Sequence, residues 1–120
     1  MILLVEDQPL LAMMTQCALE EAGYKVALAT SGQQALEILA GGLTPAVLLT
    51  DIRLGRGLNG WQLALRAREH DRALRVIYVS GDPDQDSSER AVPGSVMLSK
   101  PLNIPRLLNA VSAEPNSLSG

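Results

Sequence analysis

What the 120-residue chain lacks narrows its chemistry before any motif is considered. With one cysteine it can form no internal disulfide, and Cys17 falls in a helical apolar pattern where a small core residue is expected. Its one histidine, His70, is expected solvated near a helix end, with no catalytic or donor role. No apolar run approaches the ~20 residues that span a bilayer. Met1 leads directly into a strand with no basic or cleavable leader, so a cytoplasmic protein with no membrane partner is expected. Lys and Arg are scattered rather than striped, and a net charge of −3 gives no general electrostatic reason to bind nucleic acid.

What is present is a regular alternation of apolar runs and turn signals, with 47% apolar residues and length for one domain. Residues 1–113 read as that domain and 114–120 as a polar tail, with no linker and no internal repeat. Ile2 to Val5 is a short apolar strand ending at Glu6-Asp7. Pro9 suits the first turn of a helix, and Leu11, Met14, Ala18 and Ala22 follow at helical spacing up to Gly23. Lys25 to Ala29 reads as a second strand. Ser31 with Gln34 signals a capped helix over Ala35, Leu36 and Leu39.

The third strand, Ala46-Val47-Leu48-Leu49-Thr50-Asp51, ends abruptly in a carboxylate and is short enough to be buried on both faces. Asn59-Gly60 then starts a helix with Trp61, Leu65 and Arg68, running to about Asp71. Val76 to Val79 is the fourth strand and Ser95 to Leu98 the fifth, separated by a polar, weakly patterned segment that supports at most a short helix. A last helix from about Asn103 places Ile104, Leu107, Leu108 and Val111 on one face. Five strands alternating with about five helices, the fourth short or irregular, define a doubly wound α/β fold with a parallel sheet.

In such a sheet ligands bind at the carboxyl ends of the strands. Glu6, Asp7, Asp51, Ser80 and Lys100 all fall at that edge. Carboxylates about 4 Å apart repel by roughly 4 kcal/mol per pair at an effective dielectric near 20, so Glu6, Asp7 and Asp51 require a counter-charge that Lys100 supplies only in part. An all-oxygen, partly hydrated acidic site suits Mg²⁺. A carboxylate beside Mg²⁺ can attack phosphorus to form an acyl phosphate, with Ser80 and Lys100 holding the phosphoryl oxygens, and Asp51 is then the nucleophile.

Ile2 to Asp7, Asp51-Ile52-Arg53-Leu54, Asn59-Gly60, Val79-Ser80-Gly81 and Leu98-Ser99-Lys100-Pro101, in this order and spacing, resemble the receiver domain of two-component response regulators. The resemblance covers nearly the whole chain and implies a flavodoxin-like fold with a strand order of 2-1-3-4-5. It implies Asp51 as phosphoacceptor, Glu6 and Asp7 as the acidic pair for Mg²⁺, and the Arg53 backbone carbonyl as a further ligand. Ser80 matches the hydroxyl residue that moves toward the phosphoryl group, and Lys100 the lysine before a cis-favouring Pro101. It implies a sensor histidine kinase or histidine phosphotransfer protein as phosphoryl donor. Such a module catalyses its own phosphorylation and dephosphorylation rather than turning over a separate substrate. With no output domain expected after the last helix, output falls to an unknown downstream protein or to phosphate shuttling.

Three features depart from the family pattern. The loop from Asp51 to Gly60 is one residue longer than the commonest form, and Gly55 stands where proline is frequent. Met97 occupies the position of the usual aromatic switch residue. The segment between Ser80 and Lys100 is short, polar and interrupted by Pro83 and Pro93. Arg53 and Asp82, two residues past the acceptor and past Ser80, are expected to line the approach of water.

Other readings use some of the same residues. Gly55-Arg56-Gly57-Leu58-Asn59-Gly60 is a literal G-x-G-x-x-G with Asp82 at roughly the ~20-residue offset of a ribose-binding acid, as in a dinucleotide-binding enzyme. It follows the third strand rather than the first, and no length remains for a substrate domain. A Walker loop is excluded because no Gly-Lys-Ser/Thr follows. An aspartate-nucleophile phosphatase would want a second acid at the position of Arg53. A degenerate, non-phosphorylated receiver-like binding module keeps the fold without the chemistry.

Overall fold

The computed structural model describes residues 1–82, 86 and 88–113. Its strands are β1 (Ile2–Val5), β2 (Val26–Ala29), β3 (Val47–Asp51), β4 (Arg75–Ser80) and β5 (Val96–Ser99). They form one parallel sheet in the order β2-β1-β3-β4-β5. Among the described residues the helices are α1 (Pro9–Glu21), α2 (Gly32–Ala40), α3 (Gly60–His70) and α4 (Ile104–Ser112). None of these is long and apolar enough to cross a membrane. The polar tail at 114–120 lies outside the described residues, as does Pro83.

The strands alternate their side chains between two cores. Leu3, Val5, Leu48, Val76 and Tyr78 face α2 and α3, packing with Ala35, Trp61, Leu63, Ala64 and Ala67. Ile2, Leu4, Leu49 and Ile77 face α1 and α4, packing with Leu19, Leu107 and Val111. The period of two in a strand makes this division, and cover on both faces is why β1 and β3 read as continuous apolar runs. Each buried Leu or Ile contributes roughly 1.5–3 kcal/mol relative to exposure, so burial holds the central strands firmly.

The helices follow their local signals at the ends and depart from them in rotation. Asn59 accepts from the Gln62 N–H at 2.9 Å while the Gln62 side chain accepts from the Asn59 N–H at 3.0 Å, a reciprocal cap that starts α3. In α1, however, the buried residues are Ala12, Thr15 and Leu19, whereas Met14, Cys17 and Ala22 are exposed. The expected face over Leu11, Met14, Ala18 and Ala22, and the expected core position of Cys17, are therefore corrected. The helix is apolar almost all round, so its sequence carries little preference for one rotation, and packing on the sheet decides it. Leu65 of α3 and Ile104 of α4 are likewise exposed, because Leu63, Ala64 and Ala67 in α3 and Leu107 with Val111 in α4 supply the buried contacts.

Between β4 and β5 the described residues hold a single 3₁₀ turn, Ser88–Arg90, in place of a full helix. Tyr78 fills the space beneath it. Its ring lies 4.6 Å from that of Trp61 at 53°, and its hydroxyl accepts from the Val92 N–H at 3.2 Å. Half-buried Met97 packs against the same cluster. Burial raises the Tyr78 phenol above its ordinary value, so it stays neutral and serves as a fixed hydrogen-bonding post.

Candidate functional site

The carboxyl ends of β1, β3, β4 and β5 meet at one edge because the sheet is parallel and the strands are in register. Asp51 is level with Val79, and Ser80 with Ser99. The Lys100 backbone N–H donates to the Ser80 carbonyl at 2.8 Å, and the Lys100–Pro101 peptide is cis. Thus residues from four separate strand ends, Glu6 with Asp7, Asp51, Ser80 and Lys100, are brought to the same edge of the molecule.

Asp51 is 6% exposed and both of its carboxylate oxygens have donors. The Arg53 backbone N–H donates to Oδ1 at 3.2 Å, and Lys100 Nζ donates to Oδ2 at 2.6 Å. Lys100 also stands 3.8 Å from Glu6 Oε1, while the Gln8 N–H donates to Glu6 Oε2 at 3.2 Å. Burial disfavours a charged Lys100, but the Asp51 bond and the charges of Asp51, Glu6 and Asp7 outweigh it and raise its pKa. Burial pushes the Glu6 carboxyl up as well. The Asp51 charge and contact with Asp7 add to that, and the Gln8 N–H and Lys100 oppose it without reversing it.

One carboxylate oxygen each from Glu6, Asp7 and Asp51 lies within 4.8 Å of the others. The set is all oxygen, two members are buried and one exposed, and a single ammonium faces three acids. That donor chemistry fits a hard divalent cation open to water on one side. The loop beyond β3 keeps this side clear. Gly55 has φ +74, and a Cβ there would sit 3.2 Å from Asp7 Oδ2. Proline cannot adopt that φ, which explains why this loop holds glycine where proline is frequent. Gly57 also has positive φ, and Gly60 packs α3 against the Asp51 backbone. Backbone geometry thus accounts for all three glycines of the dinucleotide-like pattern.

The raised Glu6 pKa gives a signed expectation. A carboxyl raised in the fold contributes stability that is full below the ordinary carboxylate range and is lost as pH rises through its folded value. Above its folded value ionised Glu6 therefore destabilises the metal-free protein. Glu6→Gln should raise the melting temperature in chelator at pH above the folded value and reduce the further rise on adding a divalent cation. Calorimetric melting with and without the cation checks this, and an unchanged or lower value in chelator refutes it.

Ser80 is fully buried, its Oγ accepting from the Asp82 N–H at 3.0 Å and donating to Asp86 Oδ2. The other Asp86 oxygen lies 3.2 Å from Arg53 Nη2. Sequence reasoning missed Asp86, which sits in an unpatterned polar segment and carries no local signal. Of the two residues expected along the approach of water, Asp82 contributes a backbone N–H to Ser80 and the Arg53 guanidinium turns to Asp86.

This arrangement, a doubly wound 2-1-3-4-5 sheet with an acidic cluster and a lysine at its carboxyl edge, defines a signalling receiver rather than a classical enzyme active site. The sequence profile of the response regulator receiver domain matches residues 2–112, and the chain belongs to that family, the receiver domains of two-component response regulators. It is similar to the response regulator receiver protein CpdR of Brucella abortus, with 35% identity over 92% of each chain. It is also 32% identical to the C4-dicarboxylate transport transcriptional regulatory protein DctD of Pseudomonas aeruginosa, covering 92% of this chain and only 24% of that protein. The crystal structure of a response regulator receiver protein from Sinorhizobium medicae superimposes with a TM-score of 0.90 at 35% identity, over 97% of this chain and 94% of that one. Receiver domains of this family work with histidine kinases.

Proposed function

We propose that Asp51 accepts a phosphoryl group from a phosphohistidine on a sensor histidine kinase or histidine phosphotransfer protein. The observation that carries the reading is Asp51 itself, nearly buried, bonded to Lys100 at 2.6 Å and clustered with Glu6 and Asp7 within 4.8 Å. Glu6, Asp7, Asp51 and the Arg53 backbone carbonyl would hold Mg²⁺. When bound, that ion supplies the positive charge that lets three carboxylates and a phosphoryl group share one site.

The chain's own residues carry the transfer. A carboxylate oxygen of Asp51 forms the new O–P bond as the N–P bond to the donor imidazole breaks, and the electron pair leaves with the imidazole nitrogen. The Lys100 ammonium neutralises charge on the transferred oxygens, and the Ser80 hydroxyl donates to one of them. Hydrolysis of the resulting acyl phosphate returns the carboxylate, so the domain promotes both its phosphorylation and its dephosphorylation. The phosphoryl charge would bias the region of Ser80 and Met97, and output would follow from partner binding or onward transfer of the phosphoryl group in the cytoplasm.

Incubation with a small acyl phosphate and Mg²⁺ should add one phosphoryl mass, and chelator should prevent it. Intact-mass spectrometry reads both arms. A folded protein that gains no mass would instead be a receiver-like binding module.

A further inference from the structure

Ser80 has one hydroxyl proton, and in this structure that proton is committed to Asp86. The Ser80 side chain is buried, so solvent does not compete for it. Asp86 is nearly as enclosed, its side chain 7% exposed, and its second oxygen is held 3.2 Å from the Arg53 guanidinium. Arg53 in turn gives its backbone N–H to Asp51 Oδ1 at 3.2 Å. A continuous set of contacts therefore joins Asp51 to Ser80 by way of Arg53 and Asp86, spanning the loop after β3 and the segment after β4.

We propose that Asp86 is a positioning residue that holds Ser80 in a resting orientation and competes with a phosphoryl group on Asp51 for the Ser80 proton. The proposal rests on the reading that Asp51 is the phosphoacceptor. A hydroxyl donates one hydrogen bond at a time, so Ser80 serves either Asp86 or a phosphoryl oxygen. Both acceptors are anionic and both bonds are charge-assisted, roughly twice as strong as a neutral pair. The resting bond is thus a real competitor. The Arg53 guanidinium is 61% exposed and adds little affinity of its own. Its part is to keep the Asp86 carboxylate turned toward Ser80. Because Asp86 stabilises only the resting arrangement, removing it enlarges the fraction of molecules competent to hold a phosphoryl group, and apparent affinity rises in proportion.

Beryllium fluoride with Mg²⁺, a non-covalent mimic of the phosphoryl group, reads this equilibrium by isothermal calorimetry. Asp86→Ala should bind it about tenfold more tightly than wild type, and Asp86→Asn, a weaker neutral acceptor of the same shape, about threefold. In a Ser80→Ala background, Asp86→Ala should change affinity by less than about twofold, since the competition then has no object. A merely structural Asp86 would give the opposite sign, weaker binding in every variant. If Asp86→Ala does not fold, Asp86→Asn decides alone. Equal or weaker binding by the folded variants, with wild type binding normally, overturns the role of Asp86. Failure of wild type itself to bind overturns the reading of Asp51 on which that role rests.

Discussion

Asp51→Asn should lower the rate of phosphorylation by a small acyl phosphate by roughly 10³-fold or more, leaving no phosphoryl adduct in an intact-mass spectrum. The size follows from the chemistry, because an amide oxygen is a poor nucleophile toward phosphorus and, on the proposed reading, the other acids of the cluster, Glu6 and Asp7, are taken up with the cation. Ser80 is a neutral hydroxyl, intrinsically a weak nucleophile, and it donates its one hydrogen bond to Asp86. Glu6 has its Oε2 bonded to the Gln8 N–H and its Oε1 3.8 Å from Lys100. The fold should survive the change. Asparagine keeps the shape and can still accept from the Arg53 N–H, and losing one of three crowded acids offsets the lost Lys100 bond. Loss of phosphorylation with an unchanged circular dichroism spectrum is therefore the expected pair of results. An adduct of undiminished yield in Asp51→Asn would move the acceptor to another residue.

Gly60→Ala should destabilise the protein by about 2 kcal/mol, lowering its melting temperature by roughly 10 °C. Two effects oppose each other here. Alanine favours helix over glycine by up to about 1 kcal/mol in a helix interior, and by less at the first position of α3. Against this, a Cβ at Gly60 would sit 2.5 Å from the Asp51 carbonyl oxygen and 2.8 Å from Ile52 Cα. Both are backbone atoms, which cannot rotate away as a long side chain can, so the clash wins. The Gly60 N–H also donates to the Ile52 carbonyl at 2.7 Å, which holds α3 close to the end of β3. Relief of the clash must therefore move α3 or the end of β3 that carries Asp51, and displacement of Asp51 would show as slowed phosphorylation beside the loss of stability. Gly57→Ala is the control. Gly57 has φ +84 but no atom within 4 Å of the added Cβ, so it should cost only about 1 kcal/mol and leave the position of Asp51 intact. Equal melting temperatures for Gly60→Ala and wild type would show that α3 can move off the strand without penalty.

The degree to which the sequence was legible differs by element. Strands β1 and β3 announce themselves because both faces are buried, so apolar residues run without interruption to Val5 and Leu49 before the polar ends. The start of α3 is equally local, since Asn59 and Gln62 cap each other across three residues. The expected residues at the sheet edge come together for the same reason, because strand order and register carry each strand's end to one side. The rotation of α1 was not legible. Met13, Met14 and Leu10 are as apolar as the residues that end up buried, yet all three are exposed. Hydropathy alone does not distinguish them.

By itself, the amino-acid sequence determined a doubly wound α/β fold with Glu6, Asp7, Asp51, Ser80 and Lys100 at the carboxyl edge, and the resemblance its motifs carry added the receiver reading and the strand order. The physical reason is that strand periodicity, caps and turn residues act over a few positions, and right-handed crossovers then leave one arrangement of the ends. Only the tertiary structure decided which face of α1 packs, that Tyr78 and Trp61 fill the space under the 3₁₀ turn, and that Asp86 holds the Ser80 proton while Arg53 holds Asp86. Residues 53, 80 and 86 meet through folding, across separations that no local pattern spans. Which of two anions receives one buried proton depends on their distances in space.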